Sequence, residues 1–299
     1  MTKREATIRQ LTIYNKLRSS PASFDEVYDY LQLVAESFEY NFDISKRTFQ
    51  RDIQDIQSIY SIDIEFDKYL KKYTIRDLGI ADERLLESLD IFNALNAADS
   101  LPDMLHFEQR KPIGSSNIND FMHAIRHRKC VTFNYIKFWD AEAMKRTIKP
   151  YGLKEFKNRW YVVGEDTDKG VIRIFGLDRV DTLQILNSSF KAPDFNIETY
   201  FEHSFGIIRP DHPDDEPMEV VLSATPFKGR YLKSVPLHPT QKIIVDDETE
   251  TRLSLKVYIT HDFKMEILSH GYELKVLEPL QLQNDIREAL QKNLDLYDG

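Results

Sequence analysis

The stretch from residue 146 to residue 180 constrains the fold of this chain more than any other part of the sequence. It contains three short runs rich in β-branched and aromatic residues, which are typical of half-buried strands, and charged turn-like segments separate them. The predicted strands are Thr147–Leu153, Arg159–Gly164 and Val171–Leu177. A small all-β unit of this kind buries one face and leaves arginines at its rim. The stretch therefore predicts a binding surface without catalytic groups, and Trp160 is expected in its core.

The same stretch resembles the WYL domain of bacterial transcriptional regulators. The triplet Trp160-Tyr161-Val162 has valine where the family's name has leucine, which is a small apolar change. The matching segments are Arg146 with Pro150-Tyr151-Gly152-Leu153, then Arg159-Trp160-Tyr161-Val162, then Arg173-Ile174-Phe175-Gly176-Leu177-Asp178-Arg179-Val180. The resemblance implies an Sm-like, five-stranded β-barrel that binds a ligand and controls an attached DNA-binding domain.

Length and composition predict an intracellular protein of several domains. With 299 residues, 41% of them hydrophobic, the chain can form two or three domains with proper cores. The single cysteine, Cys130, excludes internal disulfides, favours a reducing cytoplasm and is expected to be buried. No apolar run approaches the roughly 20 residues that span a bilayer, so we expect a cytoplasmic location and no membrane partner. The net charge of −9 does not exclude DNA binding, because binding depends on local patches.

Residues 1–77 predict a winged helix-turn-helix DNA-binding domain. Apolar residues at helical spacing indicate three helices, and Ser23 with Glu26 gives a capping-box pattern at the start of the second. An alternating apolar run, a basic turn and a return strand then predict a β-hairpin, the wing. In this architecture the third helix enters the major groove and the wing touches the DNA backbone.

We expect the basic residues of the third helix and of the wing to bind double-stranded DNA, because arginine and glutamine read base edges and lysine contacts phosphate. Asp52 and Asp55 reduce the charge further along, so only the first two helical turns are expected to reach DNA. The segment Ser45–Asp52 also resembles the recognition helix of DeoR-like regulators, and the alternative is an ordinary solvated helix face. The predicted DNA-binding residues are Ser45, Lys46, Arg47, Gln50, Arg51, Lys68, Lys71 and Lys72.

The remaining boundaries follow from composition and element order. Residues 78–118 are predicted to be a helical linker, whose helix transmits movement, forms a dimer contact or simply packs. Residues 119–190 form the WYL-like sensor domain with one helix and five strands, and residues 191–216 form a connector. Residues 217–299 have the order β-α-β-β-α-β, which resembles a ferredoxin-like unit. The predicted fold class is therefore α+β multidomain.

The last segment also resembles the C-terminal extension that commonly follows WYL domains. The segments that carry this resemblance are Pro236-Leu237-His238-Pro239 with Gln241, Leu268-Ser269-His270-Gly271 and Val276-Leu277-Glu278-Pro279. Together with the other two resemblances, it extends the likeness to one family over nearly the whole chain.

No motif in the sequence points to catalysis, to a cofactor or to a metal. The eight histidines show no metal-ligand spacing, and there are no paired cysteines and no GxGxxG or Walker loop. The acidic run Asp246–Glu250 lacks the EF-hand pattern and is interpreted as a solvated turn. We therefore expect a protein that is not an enzyme, although a nucleophile and its base can be distant in sequence.

The arginines and tyrosines of the WYL-like region are the predicted ligand-binding residues. Arg173 and Arg179 would lie about 20 Å apart along a straight strand, so one compact ligand engages both only if the chain turns near Gly176 or Asp178. Guanidinium groups suit phosphates, and tyrosines can stack on exposed bases. The alternative is that these arginines pair with nearby acids such as Asp178 and Asp181. The predicted set is Arg146, Tyr151, Tyr161, Arg173 and Arg179.

The sequence as a whole predicts a ligand-responsive DNA-binding transcriptional regulator. Its WYL-like domain would sense an anionic ligand, a nucleotide or short single-stranded nucleic acid, and modulate promoter binding. A homodimer is expected, because paired half-sites multiply a weak single-domain affinity. Two alternatives stay open: an enzyme or accessory subunit of nucleic-acid processing, and a scaffold whose WYL-like barrel mediates protein contacts.

Overall fold

The computed structural model describes residues 3–38, 40–60, 62–76, 88, 91, 114–139, 142–210 and 215–297. The contacts within the chain divide it into two compact units, residues 1–109 and residues 110–299. Most of the predicted linker over residues 78–118 lies outside the described residues. Helices combine with separate antiparallel sheets, which confirms an α+β multidomain class.

Three helices and a β-hairpin form the described part of the first unit. Their bounds are α1 Lys3–Ser19, α2 Phe24–Phe38, α3 Lys46–Tyr60, β1 Ile64–Asp67 and β2 Lys72–Ile75. The two strands pair antiparallel, with Ile64 opposite Ile75. The predicted capping box is present at the start of α2: the Ser23 N–H donates to Glu26 Oε2 at 2.7 Å, and the Glu26 N–H donates to Ser23 Oγ at 3.2 Å.

An aromatic cluster joins this hairpin to the helices. The ring of Phe49, from the buried side of α3, lies between the rings of Phe24 and Tyr73, with centroids 5.3 Å and 5.0 Å away. Tyr73 also exchanges two backbone hydrogen bonds with Ala22, which precedes α2. These contacts fix the position of the hairpin beside α3.

A buried ion pair ties α1 to α3. Arg9 donates from Nε to Asp52 Oδ2 at 2.7 Å and from its terminal nitrogen to Asp52 Oδ1 at 2.8 Å, and each side chain is 1% exposed. Asp52 therefore faces the core, and the prediction that its charge limits the basic surface of α3 is wrong. Asp55 is half-buried and accepts a hydrogen bond from Gln10 at 3.1 Å.

We predict that Asp52→Ala strongly destabilises the first unit, because it leaves the Arg9 guanidinium buried without its charge partner. Removing one member of a buried ion pair costs about 3–5 kcal/mol. Asp55→Ala is the control, since it removes only a half-buried hydrogen bond worth about 1 kcal/mol. Urea unfolding of both variants measures the difference, and equal losses of unfolding free energy would contradict this role for the pair.

A five-stranded antiparallel sheet begins the second unit. Its elements are a 3₁₀ turn at Ser115–Asn117, α4 Ile118–Arg126, β3 Lys129–Tyr135, β4 Met144–Phe156, β5 Arg159–Asp166, β6 Val171–Gly176, a 3₁₀ turn at Leu177–Arg179 and β7 Val180–Ser189. The strand order is β6-β5-β4-β3-β7. No closed barrel is seen: the turn sends the chain from one edge of the sheet to the other, and the described residues of β6 and β7 form no ladder with each other.

The apolar face of this sheet packs with α4 into one core. Phe121 and Ala124 of α4 meet buried residues of the strands such as Val131 and Val162. Trp160 packs against this core and is partly buried, in agreement with its predicted place. Cys130 is free and buried. The predictions that Trp160 belongs to the core and that Cys130 is buried are therefore confirmed.

A four-stranded antiparallel sheet follows. Its elements are α5 Ile197–Phe201, β8 Met218–Ala224, α6 Pro226–Ser234, β9 Lys242–Asp246, β10 Thr251–Val257, α7 His261–Ser269, a 3₁₀ turn at Gly271–Glu273, β11 Leu274–Glu278 and α8 Leu280–Asp295. The strand order is β11-β8-β10-β9, and from β8 to β11 the chain has the predicted β-α-β-β-α-β sequence of elements. Within the described ranges, no helix has the length and apolar character needed to cross a membrane.

Candidate nucleic-acid surface and anion-binding cavity

The exposed side of α3 carries the residues predicted to contact DNA. Lys46, Arg47, Gln50 and Arg51 are all exposed, and the three cations form no ion pair with a described residue. Ser45 caps the helix, because its Oγ accepts a hydrogen bond from the Thr48 N–H at 3.2 Å. The first two turns of α3 thus present uncompensated positive charge next to polar groups that can read base edges.

The hairpin places its three predicted lysines in different surroundings. Lys68 and Lys71 are exposed, and Lys71 has a φ of 54° at the tight turn. Lys72 instead donates to Glu26 Oε1 at 2.8 Å. This hydrogen bond, together with the Ser23 N–H, lowers the pKa of Glu26 to about 2. Lys72 therefore supports the start of α2, while Lys68 and Lys71 are the lysines free for phosphate.

A cavity of about 880 Å³ lies at the β6 edge of the five-stranded sheet. Arg146 from β4, Arg173 from β6 and Arg179 from the following 3₁₀ turn line it. Lys137 and Arg209, which were not predicted as ligand residues, also line the wall. The structure thus brings three of the five predicted ligand residues together and adds two further cations.

The turn after β6 explains how Arg173 and Arg179 reach the same cavity. The strand ends at Gly176, whose N–H donates to the hydroxyl of Tyr135 at 3.2 Å. A Cβ atom at Gly176 would lie 2.5 Å from Asp178 Oδ1 and 2.7 Å from a terminal nitrogen of Arg179. Because glycine lacks that atom, both side chains fold back onto the backbone. The chain therefore turns at the place that the sequence suggested.

Arg146 and Arg173 lie at ion-pair distance from one carboxylate, but no described acid is within hydrogen-bonding distance of either. Asp166 is fully buried, and its Oδ2 lies 3.7 Å from Arg146 and 3.9 Å from Arg173, which is beyond hydrogen-bonding distance. Arg146 Nε and Asp166 Oδ2 are buried and have no hydrogen-bond partner in the described chain. Buried polar groups are normally hydrogen-bonded. The Arg146 guanidinium beside the cavity is therefore not fully satisfied by the described chain.

Arg179 is held by aromatic rings more than by acids. Its guanidinium lies 5.1 Å from the ring centroid of Tyr135 and 4.6 Å from that of Phe138. The nearest carboxylate oxygen belongs to Asp178, at 3.8 Å, and Asp178 Oδ2 is already occupied by Arg159 at 2.9 Å. Arg179 Nε is buried without a hydrogen-bond partner in the described chain. Arg179 thus pairs with Asp178 at ion-pair distance, as the alternative interpretation expected, but this pairing leaves its Nε donor without a hydrogen bond.

Arg209 belongs to the segment that connects the two sheets. Its guanidinium lies 4.5 Å from the ring centroid of Tyr200. Two residues earlier, the Ile207 N–H donates to Asp262 of α7 at 3.1 Å, and the ring of Phe205 packs in the core of the four-stranded sheet. One short segment therefore lines the cavity and anchors the second sheet. No local sequence pattern signals this position, because only the fold brings Arg209 to the cavity.

Tyr151 and Tyr161, the remaining predicted ligand residues, do not line the cavity. The Tyr151 hydroxyl donates to Glu165 Oε2 at 2.7 Å, and its ring packs against Phe190 and Phe195. Burial and the carboxylate of Glu165 raise the pKa of Tyr151 to about 12. Tyr161 is only 8% exposed, and burial raises its pKa as well. Both tyrosines are placed to support the sheet.

We predict that Tyr151 ionises only near pH 12 in the folded protein, because its proton is held by Glu165 in a partly buried site. Unfolded tyrosine has a pKa of about 10, so the stability that this group contributes is present below pH 10 and is lost as the pH rises toward 12. Ultraviolet titration of the phenolate signal, compared between wild type and Tyr151→Phe, measures this. If wild type shows a phenolate signal below pH 10 that the variant lacks, Tyr151 ionises at an ordinary pH and the prediction is contradicted.

Comparison with known protein families identifies both sheets. The WYL domain family matches residues 116–185, and the WCX domain family matches residues 216–294. The chain therefore contains a WYL domain, which supplies Arg146, Arg173 and Arg179, followed by a WCX domain. This confirms the resemblance predicted from the sequence, and the domain pair is consistent with a WYL-domain regulator.

Two solved structures show similarity over almost the whole chain. Proteasome accessory factor B/C (PafBC) of Arthrobacter aurescens aligns with a TM-score of 0.42 and 19% identity, covering 99% of this chain and 48% of that one. A CRISPR Cas-related protein aligns with a TM-score of 0.40 and 14% identity, covering 99% and 84%. The chain thus spans about half the length of the first. A comparison with curated proteins gives no match.

Proposed function

We propose that this protein is a DNA-binding transcriptional regulator whose WYL domain senses an anionic ligand, a nucleotide or short single-stranded nucleic acid. The observation that carries the proposal is the convergence of Arg146, Arg173 and Arg179 on one cavity, with no acid of the described ranges at hydrogen-bonding distance from Arg146 or Arg173. Phosphate oxygens are the acceptors that guanidinium groups bind best. The Nε donors of Arg146 and Arg179 have no hydrogen-bond partner in the described chain, so the protein itself does not fully satisfy either guanidinium group.

The size and lining of the cavity support a ligand larger than a simple ion. Ligand pockets typically enclose about 300–1,000 Å³, and this cavity has about 880 Å³. Apolar side chains such as Ile174 and Phe175 line it beside the cations. An organic phosphate can contact both kinds of surface. Charged contacts in a partly buried site are also stronger than the same contacts in water.

The fold of each part supports a role in regulation. We assign the first unit to a winged helix-turn-helix, because three helices precede a hairpin whose turn exposes lysines. The strand order β6-β5-β4-β3-β7 supports an Sm-like assignment for the WYL domain, and the order β11-β8-β10-β9 supports a ferredoxin-like assignment for the WCX domain. Double-stranded DNA is then the partner of α3 and its wing, and binding, not catalysis, is the activity.

Ligand binding would change promoter binding through a coupling free energy between the two sites. Such coupling requires that the ligand prefer one of two arrangements of the protein. We propose a homodimer as the DNA-bound form, since two linked half-site contacts give higher affinity than one.

For duplex binding, we predict that Arg47→Ala and Arg51→Ala each cost about 1–3 kcal/mol and relax base preference, because these side chains face base edges. Lys71→Ala should weaken binding to all sequences alike, and Lys72→Ala should have less effect because Lys72 already pairs with Glu26. Lys292→Ala, an exposed lysine of α8, is the control. Anisotropy titrations with the duplex upstream of the gene and with a scrambled duplex measure both effects. Unchanged binding in the Arg47 and Arg51 variants would show that α3 is not the recognition helix.

For ligand sensing, we predict that Arg173→Ala and Arg179→Ala each weaken binding of a short single-stranded oligonucleotide. Loss of a charge-assisted hydrogen bond costs about 1.5–3 kcal/mol, which is about a 10- to 150-fold increase in Kd. Arg230→Ala, an exposed arginine of α6, serves as the matched control and Tyr151→Phe as the control for a predicted residue outside the cavity. The scaffold alternative gains support if the arginine variants keep wild-type oligonucleotide binding but disturb assembly.

A further inference from the structure

Two exposed aromatic side chains lie next to the arginine cavity. The loop that follows β3 carries Phe138 and Trp139, which are 68% and 80% exposed. Lys137, immediately before them, lines the cavity. Phenylalanine and tryptophan have large apolar surfaces and are usually buried, so an exposed pair beside a binding cavity indicates a contact surface for a ligand. Phe138 and Trp139 together form the aromatic rim.

Phe138 packs against two arginines, and one of them, Arg179, lines the cavity. The Arg179 guanidinium lies 4.6 Å from its ring centroid, and the Arg159 guanidinium lies 5.7 Å from it. Arg179 in turn lies over the ring of Tyr135. These cation–π contacts hold Phe138 in place while most of its surface remains exposed. A ligand that reaches Arg179 therefore meets Phe138, and Trp139 is the next residue along the chain.

Trp139 has no hydrogen bond, ion pair or ring contact with the residues that the structure describes. The residue is 80% exposed, so its indole ring is accessible to a ligand. Indole offers the largest aromatic face among the side chains, and it keeps the N–H as a hydrogen-bond donor. The chemistry that fits a cationic cavity beside this face is a phosphate attached to a flat aromatic ring.

We propose that the aromatic rim, and Trp139 above all, stacks on an unpaired nucleobase of a single-stranded oligonucleotide whose phosphates bind in the arginine cavity. This inference rests on the proposed function and narrows it. Inorganic phosphate or polyphosphate has no ring to stack, and a duplex keeps its bases paired. Base–aromatic stacking tolerates any base, because every base has a π face. Tyr151 and Tyr161 do not take this role, since both pack within the sheet.

The test compares two fluorescent probes of equal length and phosphate number on the full chain: an oligothymidylate, and the same backbone with abasic residues. Wild type should bind the oligothymidylate more tightly by about tenfold, which is the size of one stacking contact. Trp139→Ala should remove that preference and leave the affinity for the abasic probe unchanged within about twofold. Arg173→Ala should weaken both probes.

Tyr272→Ala is the matched control, because Tyr272 is a 95% exposed aromatic residue of the WCX domain. It should change neither affinity, and Trp139→Phe should retain most of the preference because it keeps an aromatic face. Equal wild-type binding of the two probes, or a preference that survives in Trp139→Ala, would overturn the stacking inference and leave anion sensing intact. If wild type binds neither probe, the proposed sensing of single-stranded nucleic acid is itself overturned.

Discussion

The tight turn between β6 and β7 is the constraint on which the cavity depends. Gly176 ends β6 without a side chain, so the carboxylate of Asp178 and the guanidinium of Arg179 pack directly against its backbone. Tyr135 accepts the Gly176 N–H, and Arg159 holds Asp178. Without this turn, Arg179 would continue along the strand about 20 Å from Arg173. With it, both arginines face one space, and Arg146 meets them from β4.

The charges in that space leave the cavity suited to an anion. Asp166 is the buried acid nearest Arg146 and Arg173, and it offsets only part of their charge because it lies 3.7 Å and 3.9 Å away. Lys137 and Arg209 add further cations to the lining. Arg146 is a largely buried cation with no carboxylate of the described chain at hydrogen-bonding distance, and such a group costs free energy. A phosphate bound in the cavity would offset that cost. The ligand would therefore also stabilise the folded state.

Sequence patterns predicted the elements and three of the cavity residues, and they failed where the fold brings distant residues together. The alternation of side chains along a strand is interrupted at the bulge between Pro150 and Gly152. The sequence therefore could not show that Tyr151 packs beside Phe190. Asp52 was misjudged because its partner, Arg9, is 43 residues away. Arg209 lies in a connecting segment without periodicity, and no local signal marks such a position.

The central proposal is that a ligand in the WYL cavity and duplex DNA at α3 influence each other's binding. The most direct measurement is the Kd of a short single-stranded oligonucleotide for the full chain, alone and saturated with the duplex upstream of its gene. The account predicts that the duplex changes this Kd by about 5- to 150-fold and that saturating oligonucleotide changes the duplex Kd by the same factor, because linkage is reciprocal. An oligonucleotide Kd that is identical with and without duplex would contradict the claim.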